Sequence, residues 1–73
     1  MKYYLLVYDR PKGHLDEFIP FDDHETALEE RFKRERERTN TDLEIVVLAA
    51  EDEAVLKRTH ARYFKTLSEL AQG

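Results

Sequence analysis

Hydrophobic positions in this chain fall in short, dense runs separated by charged stretches. The first run lies in KYYLLVYDR (2–10), whose aromatic and branched residues have strand character. Alternation along it puts Tyr3, Leu5 and Val7 on one face and Tyr4, Leu6 and Tyr8 on the other; a strand apolar on both faces is normally covered on both. DRPKGH then supplies a turn, because Pro11 presets one dihedral and Gly13 permits a positive one. HLDEFIPF reads as a second, weaker strand. Pro20 cannot donate to a ladder, so this strand belongs at an edge or ends there.

The period changes at FDDHE. Asp22 followed three residues on by Glu25 makes an acidic capping box, with Asp22 or Asp23 as the cap. Leu28 and Phe32, four apart, share a face, with Ala27 nearby. No apolar residue follows until Leu43, so the helix continues to about Arg38 without a buried stripe. DLEIVVLAA is the third strand. From about Asp52 to Ala71, the residues Leu56, Thr59, His60, Tyr63, Phe64, Leu67 and Leu70 follow a 3, 4 spacing and predict a long amphipathic helix.

The order ββαβα predicts an α+β fold in a single domain, residues 1–73. The first two strands form a hairpin, and a right-handed crossover returns the third strand parallel to the second. Placing the third beside the first gives a three-stranded mixed sheet of order 2-1-3, with the two helices packed on one face. Three features then predict a homodimer. One sheet face is left bare, carrying Tyr3 or Tyr4 according to register, and bare apolar surface marks an interface. The third strand is an apolar edge, which proteins normally cover or charge. A helix of about 20 residues spans ~30 Å against ~23 Å for a seven-residue strand, so Leu67 and Leu70 overhang the sheet. The expected interface residues are Tyr3, Tyr4, Leu67 and Leu70.

Composition sharpens this reading. A chain of 73 residues buries only about 60% of the surface it exposes when unfolded, so its core is thin. It contains no cysteine, which removes disulfides and thiolate metal sites and fits a cytoplasmic location. The apolar run from Tyr3 to Tyr8 is shorter than a secretory h-region of roughly 7–15 residues, and no run approaches the ~20 residues of a membrane helix. No membrane association is expected.

Charge comes in blocks within a net of −4. Residues 14–30 hold seven acids and no lysine or arginine, whereas RFKRERER (31–38) holds five bases and two acids. Residues 41–54 hold five acids and no base, and residues 57–65 four bases and no acid. Acids at helix starts and bases further along complement the helix dipole, and Glu29 with Lys33 and Glu30 with Arg34 are i,i+4 pairs. RFKRERER is thus explained as a solvated, self-paired helix end. The alternative is a nucleic-acid or ribosome-binding surface. In that reading Arg31, Arg34 and Arg38 line one helix face, Arg58, Arg62 and Lys65 line the other helix, and the two stripes merge because both helices share a sheet face. Strand aromatics near Lys2, Arg10 and Lys12 could stack unpaired bases, but core or interface explains them better.

Candidate chemistry is sparse. DDHE (22–25) holds three acids and a histidine, but consecutive residues at a helix start diverge, so capping explains it and no metal site is expected. His60 lies on the apolar stripe without a nucleophile beside it, since the only serine is Ser68; a hydrogen-bonded structural histidine accounts for it. With Gly13 and Gly73 the only glycines, no phosphate-cradling loop exists and no cofactor is expected. The sequence therefore favours a small non-catalytic protein-interaction or regulatory module acting as a homodimer through a protein partner.

Overall fold

The computed structural model describes residues 1–37 and 42–64. Three strands, β1 (Lys2–Asp9), β2 (His14–Phe21) and β3 (Leu43–Ala50), form one sheet of order β2-β1-β3. Helix α1 (His24–Glu37) connects β2 to β3; α2 (Glu53–Thr59) and a 3₁₀ turn (Ala61–Tyr63) follow. The α+β class and the strand order are those the sequence predicts. Both ladders are antiparallel. The parallel relation expected of a mixed sheet holds only between β2 and β3, which β1 separates.

β1 is central because it is apolar on both faces: Tyr4 through Asp9 are all buried. The hairpin closes as its residues dictate, with Gly13 at φ 62° donating its N–H to Arg10 O at 3.2 Å. Asp9 accepts from the Lys12 N–H at 3.2 Å. The register slips once. Val7 faces Glu17 but Tyr8 faces Leu15, leaving Asp16 as the extra residue of a β-bulge. The slip places Leu15 beside Tyr8 on the same face as Phe18.

The placement of the helices corrects the expectation that both share one face. Tyr4, Leu6, Tyr8 and Ala50 are covered by Leu56 of α2 and by Tyr63, with Val55, Phe18 and Phe64 at the rim. Rings dominate this side. Tyr8 meets Tyr63 edge-on at 5.3 Å, Phe18 meets Phe64 edge-on at 5.4 Å, and Tyr4 stacks on Phe18 at 5.2 Å. The opposite face carries Leu5, Val7 and Ile45, rimmed by Ile19, Phe21, Leu43 and Val47. There lies α1: His24 stacks on Tyr3 at 4.9 Å, Arg34 pairs with Glu17, and Arg34 and Glu37 wall a cleft floored by Val7 and Ile45. Each helix therefore covers one face. Neither face, that of Tyr3 or that of Tyr4, is left bare for a second subunit, because a central strand apolar on both sides needs two covers and the described residues supply two helices.

The face α1 turns to the sheet also differs from the sequence reading. Ala27 is fully buried, whereas Phe32, expected on the inner face with Leu28, is 52% exposed. Arg31 and Arg34, four and seven residues beyond Ala27, are half-buried instead. The small Ala27 lets the helix approach the sheet, and arginine stems lie along apolar surface while their heads reach carboxylates.

Helix starts are capped by aspartates. Asp23, rather than Asp22, accepts from the Thr26 N–H at 2.9 Å and its hydroxyl at 2.8 Å, while Asp22 binds Lys2 at 2.9 Å. Asp52 accepts from the Val55 N–H at 2.9 Å. The long last helix is not continuous. It ends at Thr59, whose hydroxyl donates to Val55 O at 3.1 Å, and His60 leaves the helical region at φ −125°, ψ 47°. Back-bonding of a β-branched hydroxyl weakens a helix end, and the break lets Tyr63 and Phe64 reach the sheet. Leu67, Leu70 and the overhang they were to form lie outside the described residues.

Candidate functional site

Of the six basic residues proposed for a nucleic-acid surface, the four described ones are not brought together. Arg31 and Arg34 belong to α1 on one side of the sheet, Arg58 and Arg62 to the segment covering the other. Arg38 and Lys65 lie outside the described residues. Three of the four described ones are engaged by acids. Arg31 pairs with Glu35 at 3.4 Å, Arg34 with Glu30 at 3.2 Å and with Glu17, and Arg62 with Glu44 at 2.7 Å. Burial acts to lower the Arg34 pKa, but the carboxylates of Glu17 and Glu30 together outweigh it and raise it. Among the described residues Lys33, Arg36 and Arg58 form no ion pair, and of the two expected helix pairs only Glu30–Arg34 is made.

The strongest polar constellation gathers on Glu44, the one charged residue of β3. Its carboxylate accepts from Tyr63 Oη, from Arg62 Nη2 at 2.7 Å and from Arg10 Nε at 3.3 Å. The Arg62 guanidinium also lies over the Tyr63 ring, 4.2 Å from its centroid. Burial works to raise the Glu44 pKa, but these hydrogen bonds outweigh it and hold the carboxyl below its ordinary value. Burial first, and then Glu44, push the Tyr63 phenol up. The cluster works as a fastener: it ties the 3₁₀ turn to the sheet and the β1–β2 turn to β3. His60 binds the Thr59 hydroxyl through Nδ1 at 2.9 Å and stands outside the cluster.

Two other features remain. A cleft of ≈ 170 Å³ is lined by Val7, Glu17, Arg34, Glu37, Leu43 and Ile45; its polar wall is largely the Glu17–Arg34 pair, already satisfied within the chain. The second feature is the contrast between the two sheet edges. β2 is interrupted by the bulge at Asp16, carries Pro20 and presents Asp16 and Glu17, the devices that protect an edge from adding strands. β3 keeps unbroken register with β1 across eight residues. From Ile45 to Ala50 it contains no charge, proline or glycine, and among the described residues no strand pairs with its outer side. Val46, Val47 and Leu48 are half-buried and Ala49 is exposed. Of the predicted interface residues, Tyr4 is enclosed within the chain and Tyr3 is half-covered by His24.

Sequence reasoning did not single out Glu44, Arg62 and Tyr63 as a unit. The signal was a lone acid in an otherwise apolar strand, which needs partners if it is to be half-buried. Among the described residues, no group of three or more potential ligands could hold a metal ion, and no helix is long and apolar enough to cross a membrane. Comparison with protein-family models, curated proteins and solved structures finds no match to this chain.

Proposed function

We propose that this chain is a small, non-catalytic protein-interaction or regulatory module of the cytoplasm that acts as a homodimer. The observation that carries this reading is the asymmetry of the sheet, one edge guarded by a bulge, a proline and acids, the other long, regular and without charge from Ile45 to Ala50. An unguarded apolar edge of this length invites another strand, by the mode through which many domains recognise partners. The thin core of a small cysteine-free chain adds a reason to gain stability by association. Nucleic-acid binding has less support, since the helical arginines are split between two faces and mostly neutralised by carboxylates.

Sedimentation equilibrium of the full chain from about 1 to 100 μM tests the proposal. The expected result is a mass rising from the 8.7 kDa of one chain toward twice that value, with little dependence on salt because the edge is uncharged from Ile45 to Ala50. A single-chain mass throughout the range removes the homodimer.

A further inference from the structure

We propose that Arg10 and Arg62 form a binding site for one phosphate monoester, a phosphoryl group carried by a small molecule or by a side chain of a partner, with Glu44 as the post that holds both guanidinium groups in place. The site goes beyond the homodimer reading and does not depend on it.

Two arginines share one carboxylate here. Arg10 Nε donates to Glu44 Oε1 at 3.3 Å and Arg62 Nη2 donates to Glu44 Oε2 at 2.7 Å, so the guanidinium groups stand on the two oxygens of a single acid. Positive charge is left over, since two cations meet one anion. Asp9, beside Arg10 in sequence, is buried and accepts from the Lys12 N–H. Donors are left over as well. A guanidinium has five N–H donors. Arg62 uses Nη2 alone, which also donates to Tyr63 Oη at 2.7 Å, and the Arg10 side chain uses Nε alone. Arg10 Nη1 and Nη2 and Arg62 Nε and Nη1 have no hydrogen-bond partner among the described residues, on side chains that are 58% and 55% exposed.

Both groups are held in place before a ligand arrives. The Arg62 guanidinium lies over the Tyr63 ring, 4.2 Å from its centroid, and 5.7 Å from that of Tyr8. The Arg10 backbone is tied by its N–H to Asp42 O at 3.3 Å. Donors fixed in this way lose less freedom on binding. Glu44 is largely covered and spends its oxygens on Arg10, Arg62 and Tyr63, so a ligand meets the remaining N–H groups and not the carboxylate. Two forks select the ligand. A carboxylate or a phosphodiester has two unesterified oxygens and suits one guanidinium, whereas a phosphate monoester has three strong acceptor oxygens and reaches both, by the forked geometry that suits arginine to phosphate. A nucleic-acid backbone would instead need a run of cations along its track.

The test is a titration of the full, isotope-labelled chain at neutral pH and constant ionic strength, read by NMR at the arginine Nε–H signals. The probes are glycerol phosphate, a phosphoserine tripeptide, dimethyl phosphate and acetate. Saturating shifts are expected at Arg10 and Arg62 with both monoesters, while Arg36, exposed on α1 across the sheet, stays in place. Binding of the diester and of acetate should be at least about fivefold weaker. Arg10→Gln removes one fork and leaves the contacts of Glu44 with Arg62 and Tyr63; with its amide spectrum otherwise retained, it should bind the monoesters at least about fivefold more weakly. Arg10→Lys keeps the charge without the fork and should not restore binding. No saturating shift up to about 50 mM, equal shifts at Arg36, acetate binding as tightly as the monoesters, or parent-like affinity in Arg10→Gln each overturns the site. Tighter binding of the tripeptide than of glycerol phosphate assigns the phosphoryl group to a protein partner; equal or weaker binding assigns it to a free small molecule.

Discussion

The two faces of one sheet are closed in opposite ways. Over Tyr4, Leu6 and Tyr8, a short helix and a 3₁₀ turn bring Leu56, Tyr63 and Phe64 down as packed rings, and Glu44 fastens the turn to the sheet. Over Leu5, Val7 and Ile45, a helix twice as long contributes one fully buried residue, Ala27, and closes the rest with the stems of charged side chains. Covering an apolar face thus requires carbon surface but not apolar residues. A helix rich in arginine and glutamate can serve when its heads find partners beyond the apolar patch.

The comparison can be tested by substitutions on each side. The largest effect is expected for Leu56→Ala, which empties a fully buried site on the ring-packed side and costs about 2–5 kcal/mol, a large part of the stability of so small a chain, measured by urea denaturation. Next is Glu44→Gln, with an expected loss of about 1.5–3 kcal/mol near neutral pH, since it removes charged hydrogen bonds to Tyr63, Arg62 and Arg10. Its pH dependence has a definite sign. The folded-state pKa of Glu44 is depressed, so its contribution is complete above the unfolded carboxylate value of about 4.3 and disappears as pH falls through the folded value. The acid side of the stability profile should therefore be flatter in the variant; parallel profiles between pH 3 and 7 would show that Glu44 is not tied as described.

On the helix-covered side the effects shrink. Arg34→Ala should cost about 1 kcal/mol and Arg34→Met under about 0.5 kcal/mol, because methionine keeps most of the carbon cover and loses only a partly exposed ion pair. Equal losses would assign the work to charge instead of the stem. Smallest is Phe32→Ser, within about 0.5 kcal/mol for a residue this exposed. A Phe32 on the inner face would instead cost several kcal/mol.

This contrast also separates what the sequence discloses from what it conceals. Strands, their order, the Gly13 turn and the edge position of β2 follow from apolar alternation and turn chemistry, which act locally. The sheet-facing side of α1 was hidden because its stripe is Ala27, Arg31 and Arg34, and residue type marks arginine as polar whatever its stem touches. The break after Thr59 was hidden because the 3, 4 spacing continues through it: Tyr63 and Phe64 keep their phase while the backbone between them and Leu56 changes conformation. The opposed helices were legible in principle, since six consecutive buried residues in β1 need cover above and below. The Glu44 cluster needed coordinates, because Arg10, Glu44 and Tyr63 are separated by 34 and 19 residues along the chain.

The extra residue at Asp16 also limits how this hairpin can change length. Removing Asp16 alone would restore even pairing with β1 and leave Leu15 opposite Tyr8 and His14 opposite Asp9, whereas removing one residue elsewhere in β2 would carry its neighbours to the opposite face. Single-residue deletion is therefore expected to be tolerated at Asp16 and selected against elsewhere in β2, where length changes should come in pairs.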